Sequence, residues 1–330
     1  MAKAQIDRRT FLERGGKAAG FATVALVGGA LLHEPERHPF RIRDDAPVHR
    51  DLRIPDLEPT LVVARVADPA EGGTPARLAA AVLGALGGMN SFVSPGDFVV
   101  VKPNVGWDRR PEQAANTNPD LVAEVVRQCL AAGASRVIVT DVTCNDATRC
   151  FQRSGIAAAA REAGAEVQIA QEAHFREVNI GGALLGRQPV YDAYLEADKF
   201  INLPIAKHHG LTRVTLGMKN LYGILGGNRS RLHQDIHNSL ADLAHFLRPT
   251  LILLDAWRIL LRNGPQGGSL GDVDERRMLV ACTDPVAIDA FGGAEFFGLS
   301  VEEMPWIGLA EARGLGTSDH ASLRREEITL

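Results

Sequence analysis

The stretches FVVVKPN, at residues 98–104, and NPDLVAEVVRQCLAAGASRVIVTD, at residues 118–141, together decide the fold. The first begins with a run of aromatic and β-branched residues typical of a buried strand. The Asn-Pro pair that opens the second is an N-cap followed by a first-turn proline, and it predicts a helix through Ala132. Residues 136–140, RVIVT, predict another strand. The order strand, helix, strand predicts two parallel strands joined by a right-handed crossover.

Strands and helices alternate on both sides of this unit. Further strands are predicted at residues 60–66, 166–170, 199–203, 250–254 and 278–281. Further helices are predicted at 75–86, at 151–163 with an interruption near Gly155, and at 285–297. We therefore predict an α/β fold with an open, mostly parallel sheet flanked by helices. Residues 60–330 would form this domain, in one body or in two intimate lobes. Residues 171–198 contain short β-like pieces and glycines, and they predict a small β excursion.

The composition is that of a soluble globular protein. The chain has 330 residues, of which 45% are hydrophobic and 23% charged, and these values exclude a disordered or collagen-like chain. The formal charge is −4, but residues 1–32 carry +3, which leaves −7 for the remainder. An acidic body argues against a nucleic-acid partner, because nucleic-acid binding usually requires a basic surface.

The N-terminal segment has the pattern of an export signal. A basic region with paired arginines, Arg8 and Arg9, precedes an apolar run from Ala18 to Leu32. This run is short for a membrane span, which needs about 20 residues, and the pattern favours a secretory signal over an amphipathic N-terminal helix. The paired arginines before Phe-Leu resemble a twin-arginine (Tat) signal. That resemblance implies export by the Tat machinery to a periplasmic or extracytoplasmic location, often with a cofactor already bound.

If it is not cleaved, the apolar run at residues 18–32 could remain as a membrane anchor. Residues 33–59 are rich in Pro, Arg, Asp and His, and we predict that they form a linker.

Several motifs of known chemistry are absent. The sequence contains no G-x-G-x-x-G, no P-loop and no G-x-S-x-G, which argues against classical dinucleotide binding, NTP hydrolysis and α/β-hydrolase chemistry. Its four cysteines form no C-x-x-C pair and no iron–sulfur cluster run, so a [4Fe–4S] cluster is not expected. Cys144 and Cys150 could pair in an oxidising compartment, and buried free thiols are the alternative.

Polar side chains follow the predicted strands. Ligands of open parallel sheets bind outside the carboxyl ends of the strands, so these residues are candidates for a binding site. They are Lys102, Asn104, Asp141, Lys207, Asp255 and Asp284. Helix capping is the alternative for Asp141 and Asp284. Lys102 and Lys207 are not placed to cap helices, which favours anion binding over an ordinary surface position.

The segment 207–233 has the highest density of candidate residues, namely Lys207, His209, Lys219, Asn220 and His233. Histidine can exchange a proton near neutral pH or ligate a metal. His233 and His237 are spaced i, i+4, as in metal-binding helices, but the glutamate of H-E-x-x-H is absent.

Several sequence blocks together resemble the DUF362 family. They are Val101–Asn104, Asn118–Pro119 with Ala132–Ala134, Asn202–His209, Thr215–Gly223, His233, Asp255, Gly264–Gly268 and Asp284–Ala290. The resemblance covers about residues 60–300. Many members of this family carry a ferredoxin-like segment with two [4Fe–4S] motifs, which this chain lacks. The lysine and histidine pattern is also similar in style to that of the nickel-pincer lactate racemases, in which lysine and histidine hold a pyridine-derived cofactor.

Two functions fit these residues. The first is an enzyme that binds a small anion, or a metal or organic cofactor, and carries out isomerase or redox chemistry on a small carboxylate. Its binding residues would be Lys102, Asn104, Asp141, Asn220 and Asp284. Its catalytic residues would be His209, Lys207 and Lys219, and its metal ligands would be His209, His233 and Asp255. The second function is a periplasmic ligand- or cofactor-binding protein without catalysis, in which the same lysines only hold an anion.

Overall fold

The computed structural model describes residues 46–67, 72–182 and 184–330. The predicted export signal and residues 33–45 of the predicted linker lie outside the described residues. The strands are β1 Arg50–Asp51, β2 Thr60–Arg65, β3 Phe98–Pro103, β4 Arg136–Asp141, β5 Glu166–Ile169, β6 Phe175–Asn179, β7 Arg187–Tyr191, β8 Lys199–Leu203, β9 Ile205–His209, β10 Arg213–Thr215, β11 Leu247–Arg248, β12 Leu251–Leu260, β13 Val273–Cys282 and β14 Arg324–Thr329. The helices are α1 Pro75–Ala85, α2 Pro119–Ala131, α3 Ala147–Arg153, α4 Ile156–Glu162, α5 Asp192–Glu196, α6 Gly217–Asn220, α7 Ile236–Phe246, α8 Pro285–Phe297 and α9 Pro305–Ala312.

A ten-stranded sheet lies at the centre of the fold. Its main path runs β14-β2-β13-β12-β8-β3-β4-β5, and β9 pairs with β12 and with β10. The neighbours are parallel from β12 through β8, β3 and β4 to β5, which confirms the predicted mostly parallel α/β fold. The hairpin β6–β7 confirms the predicted β excursion. One difference is that β13 runs antiparallel to both of its neighbours, β2 and β12.

Both faces of the sheet are covered, which explains why its strands are apolar throughout. Alternate residues of one strand face opposite sides: Val100 packs in one apolar cluster, and Val99 and Val101 pack in the other. Helices α1 to α4 cover the side to which Val99 and Val101 point, and α5 to α9 cover the side to which Val100 points. The site described below therefore rests on a sheet that cannot shift without disturbing two cores.

The local signals that predicted the first crossover act as expected. The Asn118 side chain accepts a hydrogen bond from the backbone N–H of Asp120, and Pro119 is the first residue of α2. The predicted helix at residues 151–163 is divided into α3 and α4, because Gly155 between them adopts a left-handed φ of 76°.

Residues 46–330 form one compact unit. Part of the predicted linker belongs to this unit, since β1 pairs with β11 and the Thr250 hydroxyl donates to the carbonyl of Leu52. All four cysteines are free, and only Cys144 is exposed. Within the described ranges, no helix is long and apolar enough to cross a bilayer.

Candidate functional site

A cavity of about 440 Å³ opens at the carboxyl ends of β3, β4 and β9. Three lysines, Lys102, Lys207 and Lys219, line it, and we call it the lysine cavity. Lys207 and His209 both point into it because they are two residues apart on β9 and therefore share a face of the strand. His208 faces the other way, and its Nδ1 accepts a hydrogen bond from the backbone N–H of Gly264.

Lys102 and Asp141 form a buried ion pair at the floor of the cavity. The Lys102 Nζ lies 2.7 Å from the Asp141 Oδ1, and the two side chains are 0% and 3% exposed. The Asp141 Oδ2 accepts a hydrogen bond of 2.7 Å from the backbone N–H of Val105. Burial lowers the pKa of Lys102, although the adjacent carboxylate acts in the opposite direction. The charge of Lys102 is therefore already balanced within the protein.

Gly223 makes room for this pair. A Cβ atom at this position would lie 1.8 Å from the Asp141 Oδ1 and 2.7 Å from the Lys102 Nζ. The backbone carbonyl of Gly223 also accepts a hydrogen bond from the N–H of Val142, at the end of β4. Gly223, the last residue of the Thr215–Gly223 block, is thus required because the backbone approaches the ion pair closely at this position.

Lys207 has two uncharged partners. Its Nζ donates to the Asn104 Oδ1 at 2.9 Å and to the backbone carbonyl of Ala115 at 2.5 Å. Burial, reinforced by the neighbouring charges of Lys219 and Lys102, lowers the pKa of Lys207 to about 7. The amine of Lys207 is consequently close to half neutral at physiological pH.

Three asparagines form a relay of carboxamides behind Lys207. The Asn104 Nδ2 donates to the Asn220 Oδ1 at 2.9 Å, and the Asn220 Nδ2 donates to the Asn202 Oδ1 at 2.8 Å. The Asn202 Nδ2 then donates to the carbonyl of Gly217 at 3.0 Å. The relay fixes the orientation of Asn104 and Asn220, the two residues that we expect to contact a ligand. Asn202 opens the Asn202–His209 block quoted above, but we assigned it no site role, because that role depends on its register beside Lys102 on the neighbouring strand.

Among the described residues, Lys219 has no carboxylate partner in the cavity. Its Nζ lies 3.9 Å from the centre of the Tyr222 ring, a cation–π contact. Burial lowers the pKa of Lys219 to about 8. Tyr222 carries no signal in the sequence that would separate it from a core aromatic residue. Its hydroxyl donates to the carbonyl of Leu232, which fixes the ring under the ammonium group.

Asp289 holds the start of the helix that carries Lys219. Its carboxylate accepts hydrogen bonds from the backbone N–H groups of Gly217 at 2.6 Å and Met218 at 3.2 Å, and from the Trp306 indole at 3.2 Å. Complete burial raises the pKa of Asp289 to about 7. Asp289 belongs to the Asp284–Ala290 block quoted above, but the sequence alone does not show that it positions α6.

Hydrogen bonds give the two cavity histidines opposite tautomers. The His209 Nδ1 accepts from the backbone N–H groups of Leu211 and Thr212, at 3.1 and 3.3 Å. Burial lowers the pKa of His209 to about 3, so the ring is neutral and its Nε2 carries the proton. The His233 Nδ1 instead lies 3.0 Å from the carbonyl of Arg229 and must donate to it. The Nε2 of His233 is therefore a proton acceptor.

The structure does not assemble the predicted metal site. His209 and His233 line the lysine cavity, but Asp255 does not. The Asp255 carboxylate accepts from the backbone N–H groups of Asn118 and Trp257, and burial raises its pKa to about 6. A histidine that ligates a metal through Nε2 normally donates its other N–H to an acceptor, whereas the Nδ1 of His209 faces two donors. Among the described residues, no group of three or more His, Cys, Asp or Glu side chains could hold a metal ion.

Asp284 and His237 also lie outside the lysine cavity. Asp284 follows β13, which is antiparallel, so the carboxyl end of this strand lies at the opposite edge of the sheet. Its carboxylate caps α8 by accepting from Val286 and Ala287, and it also accepts from Thr317. The ring of His237 stacks on Trp306, at a centroid distance of 5.8 Å.

Arg229 and Cys144 also line the lysine cavity, and we predicted neither as a site residue from the sequence. Arg229 donates to the carbonyls of Val142 and Thr143, at 2.8 and 2.5 Å, and so ties the loop after Gly227 to the end of β4. Cys144 contributes an exposed free thiol.

The fold and the site define an α/β protein with a cation-rich cavity at the carboxyl ends of parallel strands. Residues 99–294 match the model of DUF362, a domain of unknown function, and this match spans more than half of the chain. The chain therefore belongs to the DUF362 family. A thylakoid-associated protein of Synechocystis is 28% identical over 238 residues, which cover 70% of this chain and 72% of that relative.

A structural comparison finds the lactate racemase apoprotein of Thermoanaerobacterium thermosaccharolyticum, at a TM-score of 0.42 and 13% sequence identity. The matched region covers 78% of this chain and 61% of that chain. A likeness at this level carries no argument about function.

Proposed function

We propose that the protein binds a small organic anion in the lysine cavity and carries out isomerase or redox chemistry on a small carboxylate. One observation carries the binding part of this proposal: the charges in the cavity are unbalanced. Asp141 is the only carboxylate among the described lining residues, and Lys102 already pairs with it. Lys207, Lys219 and Arg229 remain without a counter-charge, and an anion would supply it.

The two histidines offer complementary functions toward such an anion. The Nε2–H of His209 can donate to a substrate oxygen, and the Nε2 of His233 can accept a proton from a substrate carbon or hydroxyl group. His233 therefore fits the acid/base role that we predicted for His209 better than His209 does.

Calorimetry with lactate, pyruvate and inorganic phosphate tests the binding function. Lys219→Gln removes one unpaired charge, and we expect it to weaken binding by about 1.5–3 kcal/mol, or roughly 10- to 100-fold. Lys199→Gln is the matched control, since Lys199 is the first residue of β8 and lies at the amino ends of the parallel strands, away from the cavity at their carboxyl ends. It should change affinity by no more than about twofold. Equal losses in the two variants, or no binding of any anion, would refute the proposal.

The alternative is a binding protein without catalysis. Exchange of the C2 proton of lactate in deuterated water, followed by NMR, separates the two functions. If His233 accepts a proton, His233→Gln should abolish exchange and leave lactate affinity unchanged. Binding of lactate without exchange in the native protein supports the alternative.

We also propose that the protein is exported by the Tat machinery. The support is the sequence of residues 1–32, which lie outside the described residues. Residues 1–45 fused to a reporter should direct it to the periplasm of a Tat-competent host. Replacement of Arg8 and Arg9 by lysine should block this export, whereas Arg14→Lys should not. Export that persists after the double replacement contradicts the proposal.

A further inference from the structure

The chain uses lysine sparingly. Only six of its 36 basic residues are lysines, and the other 30 are arginines. Of the four lysines among the described residues, three line the lysine cavity. Arginine stays charged in proteins, whereas a buried lysine can lose its proton and become a nucleophile. The cavity therefore concentrates the one basic side chain that can act as a free amine.

The three cavity lysines differ in what they contact. Lys102 contacts a carboxylate, and Lys219 lies over an aromatic ring; both contacts favour the charged ammonium form. Within the described part of the chain, the hydrogen-bond partners of Lys207 are two neutral oxygens, those of Asn104 and Ala115. Among the three, Lys207 is the one whose described partners include neither a carboxylate nor an aromatic ring.

Lys207 has two hydrogen-bond acceptors, which is the number that the two N–H groups of a neutral amine can satisfy. An ammonium group has three N–H donors, whereas a neutral amine has two and a lone pair. Both acceptors are fixed: Ala115 is 0% exposed, and Asn104 is held by Asn220. Two N–H bonds directed to these oxygens leave the third tetrahedral position of the Nζ, which carries the lone pair in the neutral form. The burial and neighbouring cations that lower the pKa of Lys207 to about 7 act in the same direction.

We propose that Lys207 is a nucleophile that forms an imine with the carbonyl group of a small 2-oxo acid. The proposal rests on the proposed anion-binding function, because Lys219 and Arg229 would hold the carboxylate of the same molecule. The Nζ lone pair attacks the carbonyl carbon, and a proton moves from the nitrogen to the oxygen to give a carbinolamine. Loss of that oxygen as water leaves the imine, so one amine and one carbonyl yield one imine and one water, with no redox change.

Reductive trapping tests this inference in the full chain. In the first arm, formaldehyde and cyanoborohydride at neutral pH probe amine reactivity without requiring anion recognition. At a pKa of about 7, the neutral fraction of Lys207 exceeds that of an ordinary lysine on the order of a thousandfold. Peptide mass spectrometry should therefore find Lys207 methylated ahead of Lys199. Methylation of Lys199 first would overturn the inference.

In the second arm, pyruvate replaces formaldehyde. We expect one reduced adduct on the peptide that contains Lys207, its loss in Lys207→Arg, and its retention in Lys199→Arg. An adduct on Lys219, or labelling by formaldehyde without any pyruvate adduct, overturns the assignment. Lactate has no carbonyl group, so its binding reports on the anion site alone. Lactate binding without a pyruvate adduct refutes the imine but not the proposed function, whereas failure of both refutes both.

Discussion

Removal of the Lys102 ammonium group should lower the free energy of unfolding, because it leaves the Asp141 carboxylate buried without a cation. In Lys102→Met, Asp141 keeps its hydrogen bond from Val105 but loses the cation at 2.7 Å. Breaking a buried ion pair from one side typically costs about 3–5 kcal/mol. The orphaned carboxylate can escape this penalty by taking up a proton. For an ordinary aspartic acid that uptake costs about 4 kcal/mol at about pH 7, which sets a ceiling on the loss.

The free-energy cost of protonating the carboxylate, which limits the loss of stability, depends on pH. Measurements at two pH values therefore give the prediction a second, independent test. Proton uptake becomes easier by about 1.4 kcal/mol per pH unit as the pH falls. We therefore expect Lys102→Met to lose about 3–4 kcal/mol of unfolding free energy at about pH 7, and no more than about 1.5 kcal/mol at about pH 5. Urea denaturation followed by tryptophan fluorescence measures both values relative to the native protein at the same pH.

A double-mutant cycle assigns the loss to the pair. Asp141→Asn alone leaves Lys102 unpaired, and the double variant removes both charges, so the coupling energy should be about 2–3 kcal/mol. Lys199→Met, at the other edge of the sheet, should stay within about 0.5 kcal/mol of the native value. A coupling energy below about 0.5 kcal/mol, or a penalty that does not shrink on acidification, would refute the reasoning.

Three more predictions concern the same site. Gly223→Ala should destabilise the protein by about 1–3 kcal/mol, because its Cβ would overlap Asp141, whereas Gly84→Ala, in open space on α1, should be neutral or stabilising in the same denaturation assay. Asp289→Asn should weaken lactate binding at least threefold in calorimetry, since α6 loses charge-assisted hydrogen bonds worth roughly 1 kcal/mol or more; native affinity would contradict its positioning role. Lactate affinity should rise as the pH falls from above 8 toward 7, because burial depresses the pKa values of Lys219 and Lys207 to about 8 and about 7 and the anion favours their charged forms. The same depression means that the stability of the ligand-free protein decreases as the pH falls from about 10.5, the ordinary lysine value, toward about 8 and about 7, and levels off below these values. A flat affinity profile would rule out the linkage.

The strand-end rule accounts for the residues at the ends of β3 and β4 but not for Asp255, because β12 continues past this residue to Leu260. Lys102, Asn104 and Asp141 reach one cavity because β3 and β4 are adjacent and parallel, and continuous apolar runs indicate such strands. The same rule wrongly predicted that Asp284 lies at this cavity, because the residues of a strand do not show in which direction it runs in the sheet. The stretch MLVAC of β13 would be equally apolar in either direction.

Other features of the site depend on contacts between elements that are distant in the chain. Asp289 reaches α6 across 72 residues. The roles of His209 and His233 depend on which backbone groups face each Nδ1. A histidine in a sequence carries no information about its tautomer, so the exchange of roles between these two residues could not be predicted.

The carboxamide relay has a direction. From the Lys207 Nζ to the carbonyl of Gly217, each group donates to the next, so the amide dipoles of Asn104, Asn220 and Asn202 are aligned head to tail. No single amide can rotate by half a turn without placing oxygen against oxygen and nitrogen against nitrogen at its neighbours. The three side chains therefore behave as one unit that joins the amine of Lys207 to the first residue of the helix carrying Lys219. Deamidation of any of the three would cut this unit, because a carboxylate accepts hydrogen bonds but has none to donate.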